Sequence, residues 1–338
     1  MPSRPSDQPT PTPTASHGLV LALTEIDRTM ISRVGGKAAN LGELTQAGFA
    51  VPQGFCVTTE AYREVVERVG LDRLLDVGAA LGGDDLAGAA RKLIVEAPVP
   101  EHIRRGILDA YAAMGAGAMV AVRSSATAED LPFASFAGQQ DTYLGVLGAE
   151  QLLDAVRRCW ASLWTDRAVA YRGTQQIDHR SARLAVVVQA MVHSATAGVL
   201  FTANPVTGRR REAVIDASPG LGEAVVSGAV TPDHLVVDTA TGRVLESRVG
   251  EKGLAIRAVP GGGTERIAAT ATDQLCLTDE LPGTVKRVGR LLVAQHVRGA
   301  GGEQPNRVHP HRGQRPVQAL SHVEVEVDPQ PRLGVGIG

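Results

Sequence analysis

Apolar positions follow two rhythms along this chain. The near-continuous runs Leu19–Leu23, Phe55–Val57 and Ala118–Arg123 predict short strands. After Gly35-Gly36 the rhythm becomes helical, with Ala38, Leu41, Leu44 and Ala47 on one face. Gly48 sits where glycine commonly stops a helix. Thr59 is the expected cap of a helix opening at Glu60-Ala61-Tyr62. Helices are predicted over 71–82, 84–96 and 100–114, with Pro98 and Pro100 separating the last two. Residues 124–140 are small and polar without a period, and predict a long loop. Asp141–Val146 reads as a strand, and Gln151–Trp164 as a helix with Leu152, Ala155, Val156, Cys159 and Leu163 inward. Arg183–Val192, Ala197–Thr202 and Ala213–Ala217 are β-rich, the last two flanking a turn at 204–208. Val236–Asp238 and Arg243–Glu246 predict a hairpin. Residues 1–16 are Pro, Thr and Ser with little to bury, and are expected to be a disordered leader. From Val297 to Leu320 the period dissolves into Arg, His, Pro, Gly and Gln.

A length of 338 residues suggests two domains at about 150 residues each. Apolar residues make up 43% but aromatics only 3%, so the core must be largely Ala, Val and Leu. The net charge of −2 excludes a strongly basic nucleic-acid binder. No apolar run reaches the ~18 residues of a membrane span, and the N-terminus shows no apolar signal region. Cys56, Cys159 and Cys276 are far apart and make no CxxC knuckle. A soluble, cytoplasmic protein is the expectation.

Four segments carry candidate chemistry. In Val34-Gly35-Gly36-Lys37, paired glycines ahead of a helix let backbone approach a ligand, and the helix start attracts anions. A bare glycine turn with a solvated Lys37 has the same text. In Val122-Arg123-Ser124-Ser125, an Arg at a strand end followed by hydroxyls can clamp phosphate oxygens. The loop behind it can act as a lid that excludes water. Gln189 closes a buried strand and either pairs with an adenine edge or binds its own neighbours. Asn204-Pro205 is most simply a turn, and Glu223 follows a Pro-Gly-Leu-Gly run where the helix dipole favours a carboxylate. The histidines form no HxxxH or HExxH pattern, and no GxSxG is present.

Read together, "GGKAANLGELTQAGFAVPQGFCVTTEAY", "AVRSSATAEDLPFASFAGQQDTYLGV", "CWASLWTDRAVAYR" and "GVLFTANPVTGRRREAVIDASPGLGEAVVSGAVTPD" stand in one order over about residues 19–280. The chain resembles the N-terminal nucleotide-binding region of the pyruvate phosphate dikinase / phosphoenolpyruvate synthase family, in the branch with rifampin phosphotransferase. The resemblance implies an α+β, ATP-grasp-like two-lobed nucleotide-binding fold. With the composition at the two ends, the expected division is a leader at 1–16, an N-terminal lobe at 17–180, a second lobe at 181–290 and an atypical, poorly ordered or frame-altered tail at 291–338. By position, Lys37 and Arg123 match phosphate-contacting residues, Gly138 and Thr142 nucleotide contacts of the lid region, and Gln189 a residue beside the adenine. The implied ligands are ATP and Mg2+. The implied reaction passes a phosphoryl group from ATP to a His on a separate domain or partner, so no catalytic residue is assigned within this chain. The family's closing metal and phosphate ligands dissolve here, leaving faint echoes in Glu303 and Gln314-Arg315-Pro316, and the metal ligands stay unassigned. The alternative is a truncated, non-catalytic nucleotide-binding module.

Overall fold

The computed structural model describes residues 18–81, 86–127, 142–269, 273–277, 322–327 and 333–336. The leader, Gly138 and the echoes at Glu303 and 314–316 lie outside the described residues.

The first lobe is an antiparallel sheet of β1 (Val20–Ala22), β2 (Gly54–Val57), β3 (Val120–Ala126), β4 (Thr142–Val146) and β5 (Leu184–Ala190). Its spatial order is β1-β2-β5-β3-β4, so the last strand in sequence lies at the centre. Because β5 is covered on both faces, its text is an unbroken apolar run instead of an alternation. Phe55, Val57, Val120, Val122, Val186 and Val188 point to one face. That face is covered by α2 (Thr59–Arg68), α3 (Leu71–Leu81), α4 (Leu86–Val95), α5 (Glu101–Ala113) and α6 (Ala149–Ser162). Both tryptophans of the chain, Trp160 and Trp164, are fully buried there.

The opposite face, with Cys56, Ala185 and Val187, packs on Val34, Ala38, Ala39 and Leu41 of α1 (Ile31–Gln46). This helix is interrupted. Gly35 has φ 74° and ψ 168°, so a first turn ends and a second run starts on either side of it. Ser125 fills the break from below: its hydroxyl donates to Val34 O at 2.8 Å and accepts from the Ala38 N–H at 3.2 Å. Gly48 ends the helix as its sequence position suggests, its N–H bonded to Thr45 O.

The second lobe is a sheet of β6 (Thr196–Phe201), β7 (Glu212–Pro219), β8 (Asp233–Asp238), β9 (Val244–Arg248), β12 (His322–Val327) and β13 (Leu333–Gly336). Its order is β13-β12-β6-β7-β8-β9. One face, with Leu200, Ala213, Ile215, Ala217, Leu235 and Val237, packs on Leu44, Phe49 and Val51. Thus α1 serves both lobes, its middle turns against the first sheet and Leu44 against the second. A separate hairpin, β10 (Leu254–Ala258) with β11 (Thr264–Ala268), follows β9, and the short α8 (Glu223–Val226) follows β7.

Several elements differ from the expectation. β5 belongs to the first sheet, so that lobe runs on past residue 180 and the crossing falls between Ala190 and Thr196. Within the tail, 322–327 pairs along β6. Residues 124–126, expected in a loop, extend β3 because each pairs with β5 and the Ser125 hydroxyl is satisfied inside. Thr59 does not cap α2; it is the first helical residue, and its hydroxyl donates to Ser32 O. The helix α7 (Asp166–Thr174) was not expected, since it buries only Ala168 and Arg172 and carries no apolar stripe.

Candidate functional site

Strand register brings three of the proposed residues to one face of the first sheet. Arg123 lies opposite Val187 on one side and opposite Thr142 on the other. Two places along, Ala121 lies opposite Gln189. Alternation along a strand keeps 121, 123 and 125 on the same side as 187 and 189. That is the side on which α1 packs, and α1 carries Lys37.

Burial separates these residues from ordinary surface cations. Lys37 retains 7% of its exposure, Arg123 8% and Gln189 4%, whereas Thr142 is exposed at the rim. The reading of Lys37 as a solvated turn residue is therefore corrected. A lysine and an arginine are residue types suited to oxygen-rich anions. Gln189 is held in place by its amide, which donates to Pro52 O at 3.2 Å.

The Gly35 break is what allows Lys37 to sit here. A Cβ on Gly35 would lie 2.3 Å from Ser125 O, so only glycine lets the helix settle onto β3. The Ser125 hydroxyl, one of those that follow Arg123, is engaged with α1 on two sides. Its sequence context, the start of a small, polar, aperiodic run, gives no sign of this contact.

The remaining candidates are structural. Asn204 Oδ1 accepts from the Val206 and Thr207 amides at 3.0 Å each, and its Nδ2 donates to Glu212 at 2.9 Å, which makes a self-satisfied turn. Glu223 opens the four-residue α8. Among the described residues no three His, Cys, Asp or Glu side chains gather as metal ligands. Cys56 is buried, which pushes its thiol well above the ordinary range. Burial, with the Asp233 carboxylate beside it, pushes Cys276 up to about 12. Neither is a nucleophile at neutral pH.

Two charged clusters lie apart from this face. In the second lobe Lys252 Nζ meets Asp233 Oδ1 at 2.5 Å, with both side chains buried. Asp233 also accepts from the Gly250 amide at 2.8 Å and the Cys276 amide at 2.6 Å. Burial opposes the charge on Asp233, but Lys252 and these amides outweigh it and hold the carboxyl below its usual range. In the first lobe the buried Arg172 guanidinium lies 5.0 Å from the Trp164 ring centre and donates from Nε to His179 Nδ1 at 3.0 Å. No sequence pattern announced either cluster.

Two sheets joined through one shared helix, with Lys37 and Arg123 buried on the side of the first sheet where that helix packs, are consistent with a two-lobed nucleotide-binding domain of the ATP-grasp type. Comparison with known proteins gives the family. The chain belongs to the family described as pyruvate phosphate dikinase, AMP/ATP-binding domain, which matches residues 31–304. It is 46% identical over 286 residues to a rifampicin phosphotransferase of Streptomyces sp, a stretch covering 82% of this chain and 33% of that protein. It is 47% identical over 251 residues to the phosphoenolpyruvate synthase of Aeropyrum pernix, covering 70% of this chain and 31% of that protein. The phosphoenolpyruvate synthase of Pyrococcus furiosus is 42% identical over 318 residues, covering 79% of this chain and 39% of that protein. The chain thus spans about a third of the length of these relatives. It is an ATP-binding domain of the dikinase-type phosphotransferases. Among the described residues no helix is long and apolar enough to cross a membrane.

Proposed function

We propose that this domain binds Mg-ATP against the α1 face of the first sheet and donates a phosphoryl group to a histidine on another domain or a separate protein. The observation that carries this reading is the burial of Lys37 and Arg123 on that face, beside a helix break that only Gly35 permits. In the proposal, Lys37 and Arg123 hold the phosphates, Thr142 contacts the nucleotide from β4, Gly138 is a further nucleotide contact, and Gln189 lies beside the adenine. The two cations would neutralise charge on the transferring group, which is most of what phosphoryl transfer asks of a protein. Mg2+ would be bound together with ATP, shared with its phosphate oxygens. The names of the relatives point to rifampicin or pyruvate as final acceptors, recognised outside this chain. The test is AMP formation from ATP by the purified chain, with and without an added phosphohistidine domain of a relative. AMP that appears only in the pair supports the reading; ATP that binds but never turns over in any pairing leaves a nucleotide-binding module instead.

A further inference from the structure

The β10–β11 hairpin makes backbone contacts with both lobes. On the second-lobe side, the Leu221 N–H donates to Ile256 O at 2.8 Å, and Gly220 bridges Ile256 in parallel register. A Cβ on Gly220 would sit 2.5 Å from that same carbonyl oxygen. On the first-lobe side, the hairpin's turn reaches β4, where the Gly263 N–H donates to Gly145 O at 2.7 Å. Gly145 has φ +70°, and a Cβ there would lie 2.2 Å from Gly263 O, so the two backbones lie in direct contact. The N–H of Gly145 donates to the Met191 sulfur at 2.9 Å. Met191 belongs to the segment that carries the chain from β5 to β6, and its own N–H donates to Met119 O. Leu144, Met191, Leu221, Ala224 and Ile256 fill the space between these contacts as one apolar cluster.

We infer that the β10–β11 hairpin is a strap that fastens the second lobe to β4 of the first, with Gly145 as its anchor point. β4 also carries Thr142, held opposite Arg123 by the strand pairing, so the strap sets where the second lobe stands relative to that rim and to the buried cations. Gly145 and Met191 are positioning residues in this arrangement. The consequence for nucleotide affinity rests on the proposed ATP site; the strap itself does not.

Gly145→Ala drives a methyl group into the Gly263 backbone and strains a left-handed position. In the nucleotide-free chain, amide hydrogen exchange should rise at least tenfold over residues 259–263, while β6, β7 and β8 exchange as before. ATP affinity should fall at least tenfold. A second variant covers the case in which Gly145→Ala fails to fold. A Cβ on Gly262, whose φ of +96° strains any side chain there, would lie 3.4 Å from Leu147 Cβ, near the span of a disulfide, so the oxidised form is judged only against its own reduced form. The double variant Leu147→Cys with Gly262→Cys should oxidise to an intrachain disulfide, and the oxidised form should bind ATP within threefold of its own reduced form. Unchanged exchange in folded Gly145→Ala, or loss of ATP binding on forming the disulfide, would overturn the strap. If the unmodified chain binds no ATP, the proposed function fails, and the exchange result still decides the strap.

Discussion

Gly35 and Ser125 meet across the first lobe so closely that a Cβ on the glycine would stand 2.4 Å from the serine hydroxyl oxygen. The contact joins the break in α1 to the end of β3, the two elements that bear Lys37 and Arg123. Gly35→Ala therefore faces both a clash and an unfavourable backbone, whose strain alone is about 1–3 kcal/mol. Ser125→Ala removes the buried partner of Val34 O and the Ala38 N–H, a loss of about 1–3 kcal/mol. Urea denaturation of both variants checks these values. ATP titration should show Gly35→Ala as the weaker binder, because it displaces Lys37.

Asp233 and Lys252 form a buried pair in the second lobe. Removing one partner leaves an uncompensated charge, so Asp233→Ala or Lys252→Met should each cost about 3–5 kcal/mol. The double variant should cost clearly less than the sum, which a double-mutant cycle in denaturant will show. The carboxyl is held below its ordinary value, so its stabilisation is complete above the unfolded value of about 3.9. It is lost as pH falls through the lower native value. Lys252→Met should flatten that acid limb.

His179 titrates in the opposite sense to a paired histidine. Burial first, and the nearby Arg172 charge second, hold it below its ordinary value, and its Nδ1 accepts from Arg172 Nε. The folded state therefore prefers neutral His179. Its contribution is full above the unfolded value of about 6.5 and declines as pH falls towards the lowered native value. Thermal midpoints of the wild type should drop over that window, and those of His179→Asn should drop less. Equal slopes for the two proteins would contradict the account.

Elements with burial on a regular pattern were legible in the sequence. The Val186-Val187-Val188 run announced a strand covered on both faces, and the helical spacing of Ala38, Leu41 and Leu44 announced the helix on which both lobes rest. Lys37, Arg123 and Gln189 were identifiable as candidates, but their convergence was not, because it depends on strand register and on the break at Gly35. Elements that bury little were missed. β11 exposes most of its residues, β10 buries only Ala255 and Ile256, and α7 has no stripe. The Asp233–Lys252 pair joins the start of β8 to a turn past β9, a link no periodicity encodes. The return of β5, far along the chain, to the centre of the first sheet is a placement that no local pattern encodes.

The central claim is that Lys37 and Arg123 hold the phosphates of ATP. Calorimetric titration of Mg-ATP into the wild type, Lys37→Ala and Arg123→Ala tests it most directly. The account predicts micromolar binding by the wild type and a loss of about 1.5–3 kcal/mol in each variant, the size of a hydrogen bond to a charged group. Unchanged affinity in both folded variants, or no binding by the folded wild type, would contradict it.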